Sequence, residues 1–147
     1  IAYPKNYSKR GISVKSATSS IDSALCFWSA MSKFLGFRLT YVLQPFAGWG
    51  KKQFTSEEKA LFAYLDASQP DAEAILSQIS NIENYFELTQ SLSRICNNYK
   101  INYLDSNAFL AERAETINEW LYVDRVHLTD LGYKVLANLI HKKTCLS

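Results

Sequence analysis

The chain has 147 residues, 48% of them hydrophobic and 14% aromatic, which is enough apolar material for one domain with a packed core and excludes a disordered polar chain. Its net charge of +2 comes from 16 basic and 14 acidic residues dispersed along the chain, so an electrostatic surface for nucleic acid or anionic lipid is not expected. No apolar run approaches the roughly 20 residues that span a bilayer, so no integral membrane segment is expected.

Residues 1–17, "IAYPKNYSKRGISVKSA", mix Pro, Gly, Ser and Lys without a period and read as loop. From residue 18, Ile21, Leu25, Trp28, Met31 and Leu35 recur at spacings of three and four, starting beside Ser/Thr cap candidates and stopping at Gly36. That predicts an amphipathic helix. "FRLTYVLQP" is rich in β-branched and aromatic residues and ends at Pro45, as a strand leaving its sheet does.

After the glycine-punctuated "FAGWGKKQF", Thr55 or Ser56 caps a predicted helix, with Glu57, Glu58 and Lys59 read as its exposed first turns. Phe46 and Trp49 in the preceding loop are expected to cover the edge of the core rather than to form a ligand platform. "DAEAILSQIS" is helical, and a further helix follows in which Ile82, Tyr85, Phe86, Leu88, Leu92 and Ile95 form an apolar face. "INYLD" is a short strand. "SNAFLAERAETINEWLYVD" reads mostly as loop with room for one helical turn, and "TDLGYKVLANLIHKK" as a last helix with Leu131, Val135, Leu136, Leu139 and Ile140 facing inward.

Strands separated by helices predict an α/β fold with a parallel sheet, whose functional loops gather at the C-terminal strand ends. Two strands make a small sheet, so the expectation is one domain over 1–147 forming the back half of a larger fold, with a front half preceding Ile1. A homo-oligomer is the expected remedy for the exposed sheet edge if that half is absent. Cys26, Cys96 and Cys145 lie far apart without a metal-binding or disulfide pattern, and are expected to be small, buried or partly buried thiols. No cofactor or metal is called for. No signal peptide opens the chain, but with its start expected upstream, cytoplasmic and exported locations both stand.

The chemistry concentrates in "YVDRVHLTDLGYKVLANLI", residues 122–140. Asp124 and His127 have the spacing that lets a carboxylate reach back to an imidazole in a tight loop, with Thr129 as N-cap of the following helix and Leu128 packing on its first turns. A carboxylate so placed fixes the ring's tautomer and steadies the imidazolium when the histidine takes a proton from a serine. The bare pattern also fits a structural aspartate and a surface histidine before a helix. Gln44, where the first strand leaves the sheet, is a candidate substrate-binding residue or a partner for loop backbone. His141 suits the negative end of the last helix. Asp105 ends the second strand without an assigned role.

The stretch from Tyr122 to Ile140 resembles the final motif block of the SGNH, or GDSL-type, esterase and lipase family, where an aspartate, a histidine three residues on, Leu or Pro with Thr or Ser, a small linker, Gly-Tyr or Gly-His and an amphipathic helix close the catalytic site. "LTYVLQPFAGWGKKQFTSEEKAL" is similar to a segment after an internal strand in a bacterial branch of these hydrolases, and "INYLDSNAFL" to the strand before the final block; together they cover about residues 37–142 in order. The resemblance implies a three-layer, flavodoxin-like α/β/α sandwich with a mainly parallel sheet. It further implies an ester hydrolase in which His127 is the general base and Asp124 its partner, acting on a lipid ester or an O-acyl group of a carbohydrate. The family's Gly-Asp-Ser and Gly-x-Asn-Asp blocks have no counterpart here. This chain alone is therefore expected to be inactive, its serine coming from the missing N-terminal portion; the alternative is a non-catalytic α/β module that binds a carbohydrate or protein.

Overall fold

The computed structural model describes residues 13–114 and 116–145. It is a mixed α/β arrangement: α1 (Val14–Leu35), β1 (Thr40–Leu43), α2 (Ser56–Ser68), α3 (Pro70–Ile79), α4 (Ile82–Tyr99), β2 (Asn102–Asp105), α5 (Ser106–Glu112) and α6 (Asp130–Cys145). The expected loop over 1–12 lies outside the described residues. From Val14 the chain is already helical, because Thr18 turns its hydroxyl back to the carbonyl of Val14 at 2.9 Å and no longer acts as a start signal. α1 ends where expected, at Gly36 with φ 74°, its N–H bonding the carbonyl of Ser32 at 2.8 Å.

The two strands pair in parallel, with Thr40 opposite Asn102 and Leu43 opposite Asp105, so both chains leave the sheet at the same edge. Among the described residues the sheet contains these two strands. A flavodoxin-like sandwich is thus a finer description than this sheet supplies. "SNAFLAE", within a stretch read as mostly loop with a helical turn, is the two-turn helix α5. Asp105 nucleates it, accepting from the N–H groups of Asn107 at 2.9 Å and Ala108 at 3.4 Å, an N-cap placed directly at a strand end.

Apolar side chains gather in three clusters. Leu43, Phe46, Trp49, Tyr85 and Leu92 join β1 and its following loop to α4. Leu25, Cys96 and Ile101 join α1 to α4. Ala47, Phe62, Leu110, Leu121, Tyr122 and Leu128 lie beneath the segment that carries Asp124 and His127. Phe46 and Trp49 are therefore core residues, as expected.

Several residues from the predicted apolar faces are exposed instead. Leu131 points outward in α6, as do Trp28 and Leu35 in α1 and Ile82 and Phe86 in α4. With Phe27, Phe34 and Phe37, the outer side of α1 forms an uncovered aromatic surface, beside an apolar groove of about 400 Å³ lined by Leu25, Trp28, Leu39 and Tyr41. Cys26 is exposed, against expectation, and Cys96 is buried; the side chain of Cys145 lies outside the described residues. No helix among the described residues is long and apolar enough to cross a membrane.

Candidate active site

The segment from Leu121 to Thr129 is a narrow loop closed on itself. Leu121 accepts from the N–H of Thr129 at 2.8 Å, Tyr122 bridges Leu128 in antiparallel fashion, and His127 accepts from the N–H of Val123 at 3.0 Å. At its tip, Asp124 Oδ1 accepts from the N–H groups of Val126 at 2.7 Å and His127 at 2.6 Å. A short acidic side chain that folds back on its own backbone in this way makes a tight turn rigid. The other oxygen, Oδ2, stands 2.7 Å from Nδ1 of His127.

The arrangement has electrical and chemical consequences. Burial pulls the Asp124 carboxyl upward, but the N–H of His127, its imidazole and the N–H of Val126 outweigh it and hold the group below the ordinary aspartate range. An ionised carboxylate at Nδ1 leaves the neutral ring its proton there, so Nε2 carries the free lone pair. The His127 side chain is 65% exposed, and none of the described residues bonds its Nε2. The imidazole is thus oriented and accessible, as a general base must be.

Three connections fix this loop to the C-terminal edge of the sheet and to α2, and a fourth joins it to α6. Gln44 Nε2 donates to the carbonyl of Val126 at 2.7 Å, and the N–H of Ala47 donates to the carbonyl of Arg125 at 3.0 Å. Arg125 binds Asp66 through two nitrogens, at 3.2 and 2.5 Å, while its guanidinium lies over the Phe62 ring. Thr129 caps α6, accepting from the N–H of Gly132 at 3.1 Å and donating to the carbonyl of Trp120 at 2.9 Å. Gln44, although exposed, uses its amide nitrogen on loop backbone.

The post-strand loop is braced from below by α5. Ser106 donates to the carbonyl of Leu43, and Asn107 bridges the N–H of Phe46 at 2.7 Å and the carbonyl of Gln44 at 3.1 Å. Asp105 is committed to this bracing and to the Tyr85 hydroxyl, 2.7 Å from its Oδ2. His141 is exposed in the last turn of α6 beside Lys142 and Lys143, away from the loop tip.

Glu58 is where the sequence reading fails. Instead of an exposed first-turn glutamate it is 0% exposed, ion-paired with Lys52 at 2.6 Å, and bonded to the backbone N–H groups of Thr55, Leu121 and Tyr122. The legible signal was Thr55-x-x-Glu58, a capping box, which engages one carboxylate oxygen and leaves the other to seek a distant partner. Neither a protein-family model nor a curated protein matches the chain.

Proposed function

We propose that this chain supplies the histidine and aspartate of a serine ester hydrolase of the SGNH type, acting on an acylated lipid or carbohydrate. The observation that supports it is the Asp124–His127 pair at 2.7 Å, with the second carboxylate oxygen pinned by two backbone N–H groups. His127 Nε2 removes the proton of an incoming serine hydroxyl as that oxygen attacks the ester carbonyl. Asp124 stabilises the imidazolium so formed, and the same Nε2–H then protonates the departing alcohol oxygen. Water attacks the acyl-enzyme with His127 again as base, which returns the serine.

In this reading the serine and the donors to the developing oxyanion come from a segment outside residues 1–147. Among the described residues no serine hydroxyl bonds His127; Ser106, the most buried, is committed to Leu43. The flavodoxin-like sandwich belongs to the same reading, with the absent segment adding strands beside those described. The test is fluorophosphonate labelling of the full-length protein, read by intact mass, for the natural sequence and for His127→Ala. Labelling of one serine outside this chain, slowed at least 10³-fold in the variant, is the expected result. Equal labelling rates refute the role of His127, and no labelling favours the non-catalytic binding module.

A further inference from the structure

A capping box needs one glutamate oxygen, and Glu58 Oε2 fills that need by accepting from the N–H of Thr55 at 2.8 Å. Its Oε1 does something else. It accepts from the N–H groups of Leu121 at 2.9 Å and Tyr122 at 3.0 Å, which lie 63 and 64 residues further along the chain. Lys52, 1% exposed, binds Oε2 at 2.6 Å and the carbonyl of Gln53 at 3.0 Å.

A buried ion pair of this kind is poor evidence for stabilisation, because desolvating two charges offsets most of their attraction and apolar replacements are often neutral. What the pair does supply is a fixed acceptor at a defined place. Leu121 and Tyr122 form one rail of the closed loop whose other rail is His127, Leu128 and Thr129, joined to it through the Leu121–Thr129, Tyr122–Leu128 and Val123–His127 connections. The Asp124–His127 bond is local and survives if the rails move. The position of the imidazole relative to the sheet edge does not.

We propose that Glu58, seated by Lys52, is a positioning residue for His127: its Oε1 anchors the main chain at Leu121 and Tyr122 and thereby sets where the general base stands. This rests on the hydrolase reading for its catalytic consequence only. Removing both charges together, in K52M/E58A, leaves no orphan ion but deletes the acceptor. In K52M/E58Q a carbonyl oxygen remains for the two N–H groups.

The experiment compares these variants in the full-length protein, well below their melting temperatures, with 4-nitrophenyl acetate as substrate and amide hydrogen exchange as a second readout. For K52M/E58A, kcat falls about 100-fold with KM nearly unchanged, the loss expected from displacing a catalytic group by about 1 Å. K52M/E58Q recovers kcat to within a few-fold, and amides of Leu121, Tyr122, Val123 and Thr129 exchange faster in K52M/E58A while those of α1 and α4 do not.

Unchanged kcat in folded K52M/E58A, equal losses in both double variants, or uniformly faster exchange over the whole chain would each overturn the proposal. Should K52M/E58A not fold, a large kcat loss in K52M/E58Q alone overturns it. If the natural protein hydrolyses no ester, the function reading falls instead, and selective exchange at the four loop amides still decides whether Glu58 anchors the loop.

Discussion

The carboxylate of Asp124 holds two different parts of His127 at once: the backbone N–H at 2.6 Å through Oδ1 and the ring nitrogen Nδ1 at 2.7 Å through Oδ2. Main chain and side chain of the histidine are thus oriented by a single group. Replacing Asp124 with Asn keeps the shape and the acceptor for the backbone, but turns an NH₂ toward Nδ1. The ring then holds its proton on Nε2, where a base cannot use it. Under the proposed ester hydrolysis, Asp124→Asn is expected to lower kcat by on the order of 10⁴, and His127→Ala by at least as much, with KM little changed. Steady-state kinetics on the purified variants checks both.

Acid sensitivity follows from the same carboxylate. Asp124 is depressed in the folded state, so over the window between its folded and unfolded values the unfolded chain binds more protons, and acidification disfavours folding. The stabilisation is fully present above the ordinary aspartate value of about 3.9 and disappears as pH falls through the folded value. Urea midpoints of the natural protein and Asp124→Asn, measured from about pH 7 to pH 3, are therefore expected to differ by a constant amount down to about pH 5 and to converge below it. A gap that widens with acid contradicts the assignment.

Gly132 is where α6 meets the loop most closely. A Cβ there would lie 2.5 Å from the carbonyl oxygen of Leu121 and 2.9 Å from the Cβ of Leu128. The nearer atom belongs to the backbone and cannot rotate aside. Gly132→Ala is expected to cost about 1–3 kcal/mol, visible as a lower melting temperature, even though alanine is the better helix former.

The outer face of α1 behaves differently. Phe34 is 84% exposed, so its removal deletes no packing. Phe34→Glu is expected to leave thermal stability within about 0.5 kcal/mol while reducing concentration-dependent association, as read by light scattering over a dilution series.

Much of this architecture is legible in the order of residues. Pro45 ends a strand, Gly36 ends a helix, Thr129 begins one, and the Asp124–His127 spacing is short enough to be read locally. What escapes a local reading is non-local. Glu58 has the type and spacing of a surface capping residue, and nothing near it in the chain says that Leu121 will arrive at its free oxygen. Periodicity likewise identifies Trp28, Leu35, Phe86 and Leu131 as members of apolar stripes without saying whether another element covers them, and among the described residues none does so fully. The start and extent of α5 escape a local reading because its cap, Asp105, is also the last residue of a strand.

The closed loop also has a place in time. Asp124 and His127 are separated by three residues, so the entropy lost in bringing them together is small and their contact forms on the scale of local turns. The Glu58–Leu121 contact spans 63 residues and must wait until α2, α4 and β2 have brought the chain back. Pairing of the dyad is thus a local matter and its placement a long-range one, so the entropy of closing a long loop falls on where the histidine stands and not on whether it is paired.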